Sequence, residues 1–256
     1  MITIAFTRPE RRLNESIAAA EEMGFRVLAA PSLEIIPGKQ EDFRNVKEEL
    51  SRGRADICIF SSSAAAEECI NAWGNETAKI LEPFETIPIG PGTAEFLKKN
   101  GIRVDGVPQT YSSQGLVDHL SDRSKGKRIM IIHSDKGSEV LRKGLESNGA
   151  HVAELIAYRL EKVNVSKPLI TMMEEIVNGN VDVLAFTSPL SAESFFETAV
   201  SEGYAKNRIA NNTKIAAIGK PTADMLRSMG LKVSIVPEDS TFRSLLETIR
   251  NREIKE

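Results

Sequence analysis

The chain carries one strand-to-helix pattern twice, and a duplication of that kind leaves few folds open to it. The stretch Ile57-Cys58-Ile59-Phe60-Ser61-Ser62-Ser63-Ala64-Ala65-Ala66-Glu67 lies over Val183-Leu184-Ala185-Phe186-Thr187-Ser188-Pro189-Leu190-Ser191-Ala192-Glu193. Both read as a strand, a hydroxyl cluster and a helix. A second pair is tighter. Ile87-Pro88-Ile89-Gly90-Pro91-Gly92-Thr93-Ala94, with Leu97 and Gly101, matches Ala216-Ala217-Ile218-Gly219-Lys220-Pro221-Thr222-Ala223, with Leu226 and Gly230. Each copy then runs to Val-Pro, at Val107-Pro108 and Val236-Pro237. A third pair sets Ile4–Thr7, a helix and Gly24 against Ile129–Ser134, a helix and Gly149.

Short β-rich runs separated by helical spacing predict parallel sheets covered by helices, an α/β fold. The predicted strands are Ile2–Thr7, Val27–Ile35, Ile57–Ser62, Ile87–Gly90, Val104–Pro108, Ile129–Ser134, Val152–Leu160, Val181–Ser188, Lys214–Gly219 and Val233–Pro237, two sets of five. Leu13, Ile17, Ala20 and Met23 mark one helix face, and Leu141 with Leu145 another. Gly24, Gly101, Gly149 and Gly230 each follow a helix, where a left-handed stop is least costly for glycine. At 256 residues, 41% hydrophobic, the chain has material for two domains with a core each. Periodicity leaves open whether these are the tandem halves or units that exchange segments.

Several function classes are disfavoured. A net charge of -3 supplies no general field for nucleic acid or an anionic membrane, and no apolar run reaches the length of a membrane span. Met1–Phe6 reads as a first strand rather than a leader, and a cytoplasmic monomer is expected. Cys58 and Cys69 are read as buried, reduced thiols. His119, His133 and His151 stand apart, without metal-ligand spacing, so no metal is expected. No GxGxxG or P-loop follows a strand; Lys220 beside Gly219 has the wrong glycine spacing. No GxSxG elbow occurs, and contiguous His133-Ser134-Asp135 reads as a loop.

The candidate site residues lie at strand-to-helix turns. Gly90 and Gly219 are read as allowing tight turns, with Thr93 and Thr222 at helix starts. Each turn is either a plain βα turn with a capping threonine, worth about 1 kcal/mol, or an anion site of free N–H groups. Ser61, Ser62 and Ser63, and Thr187 with Ser188, occupy the same edge in each copy, the edge where open α/β sheets bind ligands. With Thr7-Arg8 these turns are expected to ring one cleft between the domains and hold a polyanion. Tyr158 is either a half-buried strand tyrosine or a phenol able to give a proton to a leaving hydroxyl. Tyr111 and Ser113 belong to a loop and cap that could reach the same cleft.

Phe6-Thr7-Arg8-Pro9, Pro31-Ser32-Leu33-Glu34-Ile35, the Phe60-Ser61-Ser62 and Phe186-Thr187-Ser188-Pro189 edges, the Gly-x-x-Thr-Ala pair and Ala157-Tyr158, by their order and spacing along the chain, resemble the uroporphyrinogen-III synthase family. The resemblance covers nearly the whole chain. It implies two flavodoxin-like domains joined by a two-stranded linker, residues 1–36 with 163–256 and residues 37–162. It also implies cofactor-free closure of hydroxymethylbilane to uroporphyrinogen III, with ring D inverted through a spirocyclic intermediate. Tyr158 would assist departure of the hydroxyl, while Ser62, Thr93, Ser188 and Thr222 would hold carboxylate arms. The chain departs from the family's frequent Arg-Gly at His133-Ser134, which leaves substrate contacts from that segment open. A two-domain small-molecule sensor is the alternative with the same layers.

Overall fold

A computed structural model describes residues 1–163 and 165–253. Residue 164, at the start of the second segment of the expected first domain, and residues 254–256, at its end, lie outside the described residues. The chain opens with β1 (Thr3–Thr7), α1 (Glu10–Glu22), β2 (Arg26–Ala30) and β3 (Leu33–Pro37). It continues through α2 (Gln40–Ser51), β4 (Ile57–Phe60), α3 (Ser63–Trp73), α4 (Thr77–Leu81), β5 (Glu85–Pro88), α5 (Pro91–Lys99) and α6 (Ser113–Leu120). The second half holds β6 (Arg128–Ser134), α7 (Glu139–Ser147), β7 (His151–Lys162), α8 (Lys167–Val177), β8 (Val183–Phe186) and α9 (Pro189–Ser201). It closes with α10 (Lys206–Asn212), β9 (Lys214–Ala217), α11 (Lys220–Ser228), β10 (Val233–Ile235) and α12 (Phe242–Glu253).

The strands form two five-stranded sheets, ordered β10-β9-β8-β1-β2 and β3-β7-β6-β4-β5. All of the first sheet is parallel, as are β7, β6, β4 and β5 of the second. Two compact units result, Met1–Glu34 with Glu161–Glu256, and Ile35–Leu160. Each draws strands from both sequence copies. The registers agree with the duplication, because Thr7 pairs with Phe186 in one unit as Ile132 pairs with Phe60 in the other. The copies have therefore exchanged strand pairs rather than folded as tandem halves.

Helices cover both faces of each sheet, which is why the strands read as unbroken apolar runs. Within β8, Leu184 and Phe186 pack with α8, α9 and α11, whereas Val183 and Ala185 pack with α1 and α12. In the second unit Cys58 and Phe60 meet α2 and α3, and Ile57 and Ile59 meet α6 and α7. Both thiols are buried and unpaired. The four predicted helix stops all take a left-handed φ, from +73° at Gly101 to +85° at Gly24 and Gly149.

An aspartate ties neighbouring segments at three places, just before β4, just before β8 and beside β5. Asp182 N–H donates to Thr3 O (3.0 Å) while its Oδ2 accepts Thr3 N–H (2.7 Å). Asp56 does the same to Arg128, both bonds 2.8 Å, and Asp105 to Thr86 at 3.0 and 2.9 Å. The carboxylate stands in for a carbonyl and completes the first rung of the ladder.

Two predicted strands need correction. Val27–Ile35 is β2 and β3, one in each sheet, broken at Pro31-Ser32. Proline has no N–H for a ladder, and Ser32 is held instead by helix α9, its Oγ donating to Ser191 O (3.3 Å) and its carbonyl accepting Ser194 Oγ (2.8 Å). Val104–Pro108 forms no strand. Beyond the Asp105–Thr86 rung, the next residue of β5 facing that edge is Pro88, which cannot donate. The matching strand β9 has no proline, and β10 pairs with it at Ile215 and Ala216.

Candidate functional site

Parallel strands deliver all their carboxyl ends to one edge, and the candidate residues lie at those edges, each in its own unit. In the second unit, Tyr158 on β7, Ser134 at the end of β6 and Ser62 after β4 come from three neighbouring strands. Tyr158 Oη is 3.1 Å from Ser62 Oγ. Ser62 caps α3, its Oγ accepting Ala65 N–H at 3.1 Å, so the serine is immobilised by the helix it starts. A bulge shifts the register between β6 and β7 so that Ser134 pairs with Tyr158, and Asp135 N–H donates to Tyr158 O (3.0 Å). Tyr158 belongs to the buried cluster that also holds Phe60, Ile132 and Ala157. Burial pushes the phenol above its ordinary range, while hydrogen bonds from Ser62 and Ser134 pull it back. The result is a phenol that is neutral at physiological pH, with the Ser62 hydroxyl beside its oxygen.

The same edge carries Gly90 as the cap of α5, with Ser63 at the first residue of α3. Gly90 and its counterpart Gly219 have φ of −170° and −174°, extended backbone open to any residue, so the tight-turn reading is corrected. Space is what calls for glycine. A Cβ on Gly90 would lie 3.2 Å from Tyr111 Cβ, and one on Gly219 2.4 Å from Ser240 Oγ. Tyr111 thus lies against the start of α5, with its side chain partly exposed. Thr93 and Thr222 are not caps either; both sit at the third helical residue and are buried. Ser112 caps α6, its Oγ accepting Gly115 N–H (3.0 Å), and Ser113 is the residue after it.

In the first unit the ends of β1 and β8 are neighbours, bringing Thr7-Arg8 beside Thr187-Ser188. Ser188 caps α9 as Ser62 caps α3, adding a reciprocal bond from its own N–H to Ser191 Oγ (3.2 Å). Thr7 Oγ1 and Arg8 Nε are buried without a hydrogen-bond partner. The Arg8 guanidinium lies 4.7 Å over the Phe242 ring, and burial, with Arg12 nearby, brings it down to about 10, so it stays charged at neutral pH. A held cation next to two helix N-termini suits a carboxylate. Lys220 points elsewhere, as an exposed surface pair with Asp224 one turn along α11.

His133 and Ser134 end β6, as the predicted strand Ile129–Ser134 has it and against the reading of His133-Ser134-Asp135 as a loop. Strand alternation puts Ser134 on the Tyr158 face with Met130 and Ile132, and His133 on the opposite face, where its Nε2 lies 3.2 Å from Glu154 Oε1. Register makes His133 the counterpart of Arg8. Burial lowers its pKa against the pull of Glu154. Among the described residues no group of three or more His, Cys, Asp or Glu is placed to hold a metal ion, and no helix is long and apolar enough to cross a membrane.

Comparison with known proteins bears on this arrangement directly. The profile of uroporphyrinogen-III synthase HemD matches residues 14–247. A protein of Methanothermobacter thermautotrophicus, itself assigned as a uroporphyrinogen-III synthase, is 31% identical over 247 residues, 96% of each chain. The uroporphyrinogen-III synthase of Chlorobaculum parvum is 24% identical over 93% of this chain and 94% of its own. Among solved structures, a mutant uroporphyrinogen III synthase of Thermus thermophilus superposes with a TM-score of 0.71 at 24% identity, all of both chains covered. That of Helicobacter pylori gives 0.63 at 14% identity, covering 98% of this chain and 100% of its own. With two parallel five-stranded sheets, and a family match over most of its length, this chain belongs to the uroporphyrinogen-III synthase family.

Proposed function

We propose that this chain closes linear hydroxymethylbilane to uroporphyrinogen III, inverting ring D through a spirocyclic intermediate, on the path to tetrapyrroles. The observation that carries the reading is the buried Tyr158 phenol, 3.1 Å from the capping Ser62, at the carboxyl edge of its sheet. Loss of the substrate hydroxyl needs a proton, and a phenol with hydrogen-bond donors on its oxygen can deliver one without a metal or cofactor. The hydroxymethyl C–O bond breaks, water leaves with the Tyr158 proton, and the cation that remains is attacked from the substituted carbon of ring D. Breaking and reclosing the spiro centre inverts the ring, and loss of a pyrrole proton at the end restores neutrality.

Hydroxymethylbilane closes unaided to the symmetrical isomer, so selectivity rests on orientation. The substrate carries eight carboxylates. Arg8, Thr7, Thr187, Ser188, Gly219 and Thr222 in the first unit, with Ser62, Ser63, Gly90, Thr93, Tyr111 and Ser113 in the second, are the proposed contacts. Capped helix starts at both edges support this role, because backbone N–H groups and the helix dipole favour anions there. Lys220 is the weakest member, being engaged by Asp224. A monomeric, cytoplasmic enzyme is the simplest form of the reading.

The test is to incubate hydroxymethylbilane with the protein, oxidise the products and separate the porphyrin isomers. Isomer III in excess is expected. Isomer I alone would reject the enzyme and leave a tetrapyrrole-binding or sensing protein.

A further inference from the structure

Resting on the proposed function, we propose that Phe242 is the positioning residue of Arg8: its ring carries the guanidinium and leaves the guanidinium N–H groups for one carboxylate of the substrate.

Nothing within the chain completes this cation. Its Nε is buried without a hydrogen-bond partner, and among the described residues no carboxylate lies within ion-pair distance of the guanidinium. Of the charges on α1, Arg12 opposes it more than Glu15 supports it, and those two lie 3.7 Å from each other. A cation shielded from water without an acceptor is costly, and an anion arriving from outside the chain removes that cost.

What the chain does give Arg8 is an aromatic face. Its Cζ lies 4.7 Å from the centroid of the Phe242 ring. Phe6 and Arg8 stand two residues apart along β1 and just past it, so both project to one side of the sheet. The same Phe242 ring meets Phe6 edge to face, with centroids 5.2 Å apart and planes at 74°. Phe6 is fully buried, and α12, which Phe242 opens, seats Leu245, Leu246 and Ile249 in the cluster that holds Phe6. Thr241 caps that helix, its Oγ1 accepting Ser244 N–H at 3.1 Å. The core therefore sets the ring, and the ring sets the guanidinium.

The use of a ring has a chemical consequence. An aspartate or glutamate in its place would hold the cation but would occupy its N–H groups. A π face attracts the charge and consumes no donor, so the planar fork stays free for a carboxylate. The second unit has the other arrangement, where His133, the register counterpart of Arg8, has Glu154 Oε1 at 3.2 Å from its Nε2. A held cation with free donors is thus a property of the first unit.

The experiment compares full-length wild type, Phe242→Leu, Phe242→Tyr, Arg8→Gln and the Arg8→Gln/Phe242→Leu double variant, measuring kcat and KM for isomer III formation. A guanidinium no longer held must be ordered by the substrate itself, which predicts a KM about three- to tenfold higher in Phe242→Leu with kcat within about twofold. Phe242→Tyr, which keeps the ring, stays near the wild-type KM. In the Arg8→Gln background Phe242→Leu adds no further rise, whereas a general packing defect would add the same rise there. In parallel, the Arg8 Nε–H NMR signal, assigned by its loss in Arg8→Gln, is followed without substrate; it exchanges with water faster in Phe242→Leu than in wild type. An unchanged KM in Phe242→Leu, equal rises in both backgrounds, a Tyr variant no better than Leu, or an unaltered Nε–H signal overturns the proposal. Wild-type protein that makes isomer I alone fails the underlying reading instead, and shows it before any variant is compared.

Discussion

Gly92 and Gly115 invite the same substitution with opposite results. Both stand in the first turn of a helix in the second unit, at the second residue of α5 and the third of α6. Neither has a positive φ. A Cβ on exposed Gly92 meets nothing within 4 Å, so alanine there lowers only the freedom of the unfolded chain and raises helix propensity. About 0.5 kcal/mol of added stability follows, the lower end of the Gly→Ala range because the first turn is only partly constrained. A Cβ on buried Gly115 would sit 1.9 Å from Thr110 O and 2.8 Å from Thr110 C, so the carbonyl must retreat by more than an ångström. It is not free to go, since Thr110 O accepts Ser112 N–H (2.9 Å) and Ser112 in turn caps Gly115. Overpacking at about 1–3 kcal/mol plus a weakened cap at about 1, less the propensity gain, gives a net loss of about 2–3 kcal/mol. Trp73, the only tryptophan, is buried at the end of α3 in the same unit and reports its unfolding by fluorescence. In urea, with m about 2 kcal/mol/M, the Gly115→Ala midpoint falls by roughly 1 M and that of Gly92→Ala rises slightly. Midpoints moving in the same direction, or Gly115→Ala matching wild type, would refute the steric argument.

The remaining expectations are briefer. Tyr158→Phe should lower kcat by about 100-fold with the unfolding free energy in urea changed by no more than about 1 kcal/mol, and an unchanged rate removes the phenol from the chemistry. Hydrogen bonds from the Arg128 side chain and backbone N–H hold the Asp56 carboxyl down at about 2, from a usual 3.8. A depressed folded-state value means that its stabilisation is complete above about pH 4 and is lost as pH falls through 2. Asp56→Asn, in this solvent-exposed pair worth at most about 1 kcal/mol, should therefore flatten the stability profile over that window, and an unaltered slope in Trp73 fluorescence titrations would contradict it. Burial pushes Cys58 up to about 12 and Cys69 well above its usual range. An aromatic disulfide reagent at pH 8 should label neither thiol in the native protein, with labelling in urea following the fluorescence transition; prompt native labelling would disprove their burial.

What could be read from residues alone was what repeats and what is apolar. Val183-Leu184-Ala185-Phe186 announces a strand buried on both faces because all four side chains need a helix to cover them. Sheet membership was harder, since it depends on pairing across long separations; nothing local to Pro31-Ser32 says that the strands on its two sides belong to different sheets. Val104–Pro108 reads as β-rich because propensity describes its own side chains, whereas the missing donor is on Pro88 of the neighbouring strand. At the site, Ser62 and Tyr158 were legible separately as a hydroxyl at a strand-to-helix edge and a strand tyrosine. Their 3.1 Å contact spans three neighbouring strands, and the bulge that brings Ser134 level with Tyr158 is equally absent from a one-dimensional pattern.

The exchanged strand pairs also set an order of assembly. β1 lies against β8, and Thr3 is bonded to Asp182, 179 residues further on. During synthesis the first βαβ segment therefore emerges with half of its sheet unmade, while residues 35–160 are continuous and can complete their unit first. Once that unit has closed, its two chain ends are tethered together and the loop joining β2 to β8 is effectively short, which removes most of the entropic penalty for the long-range pairing. The middle of the chain acts in this way as a template for its ends, and a lesion that slows the central unit should leave the amino-terminal strands exposed to aggregation before the carboxyl-terminal strands arrive.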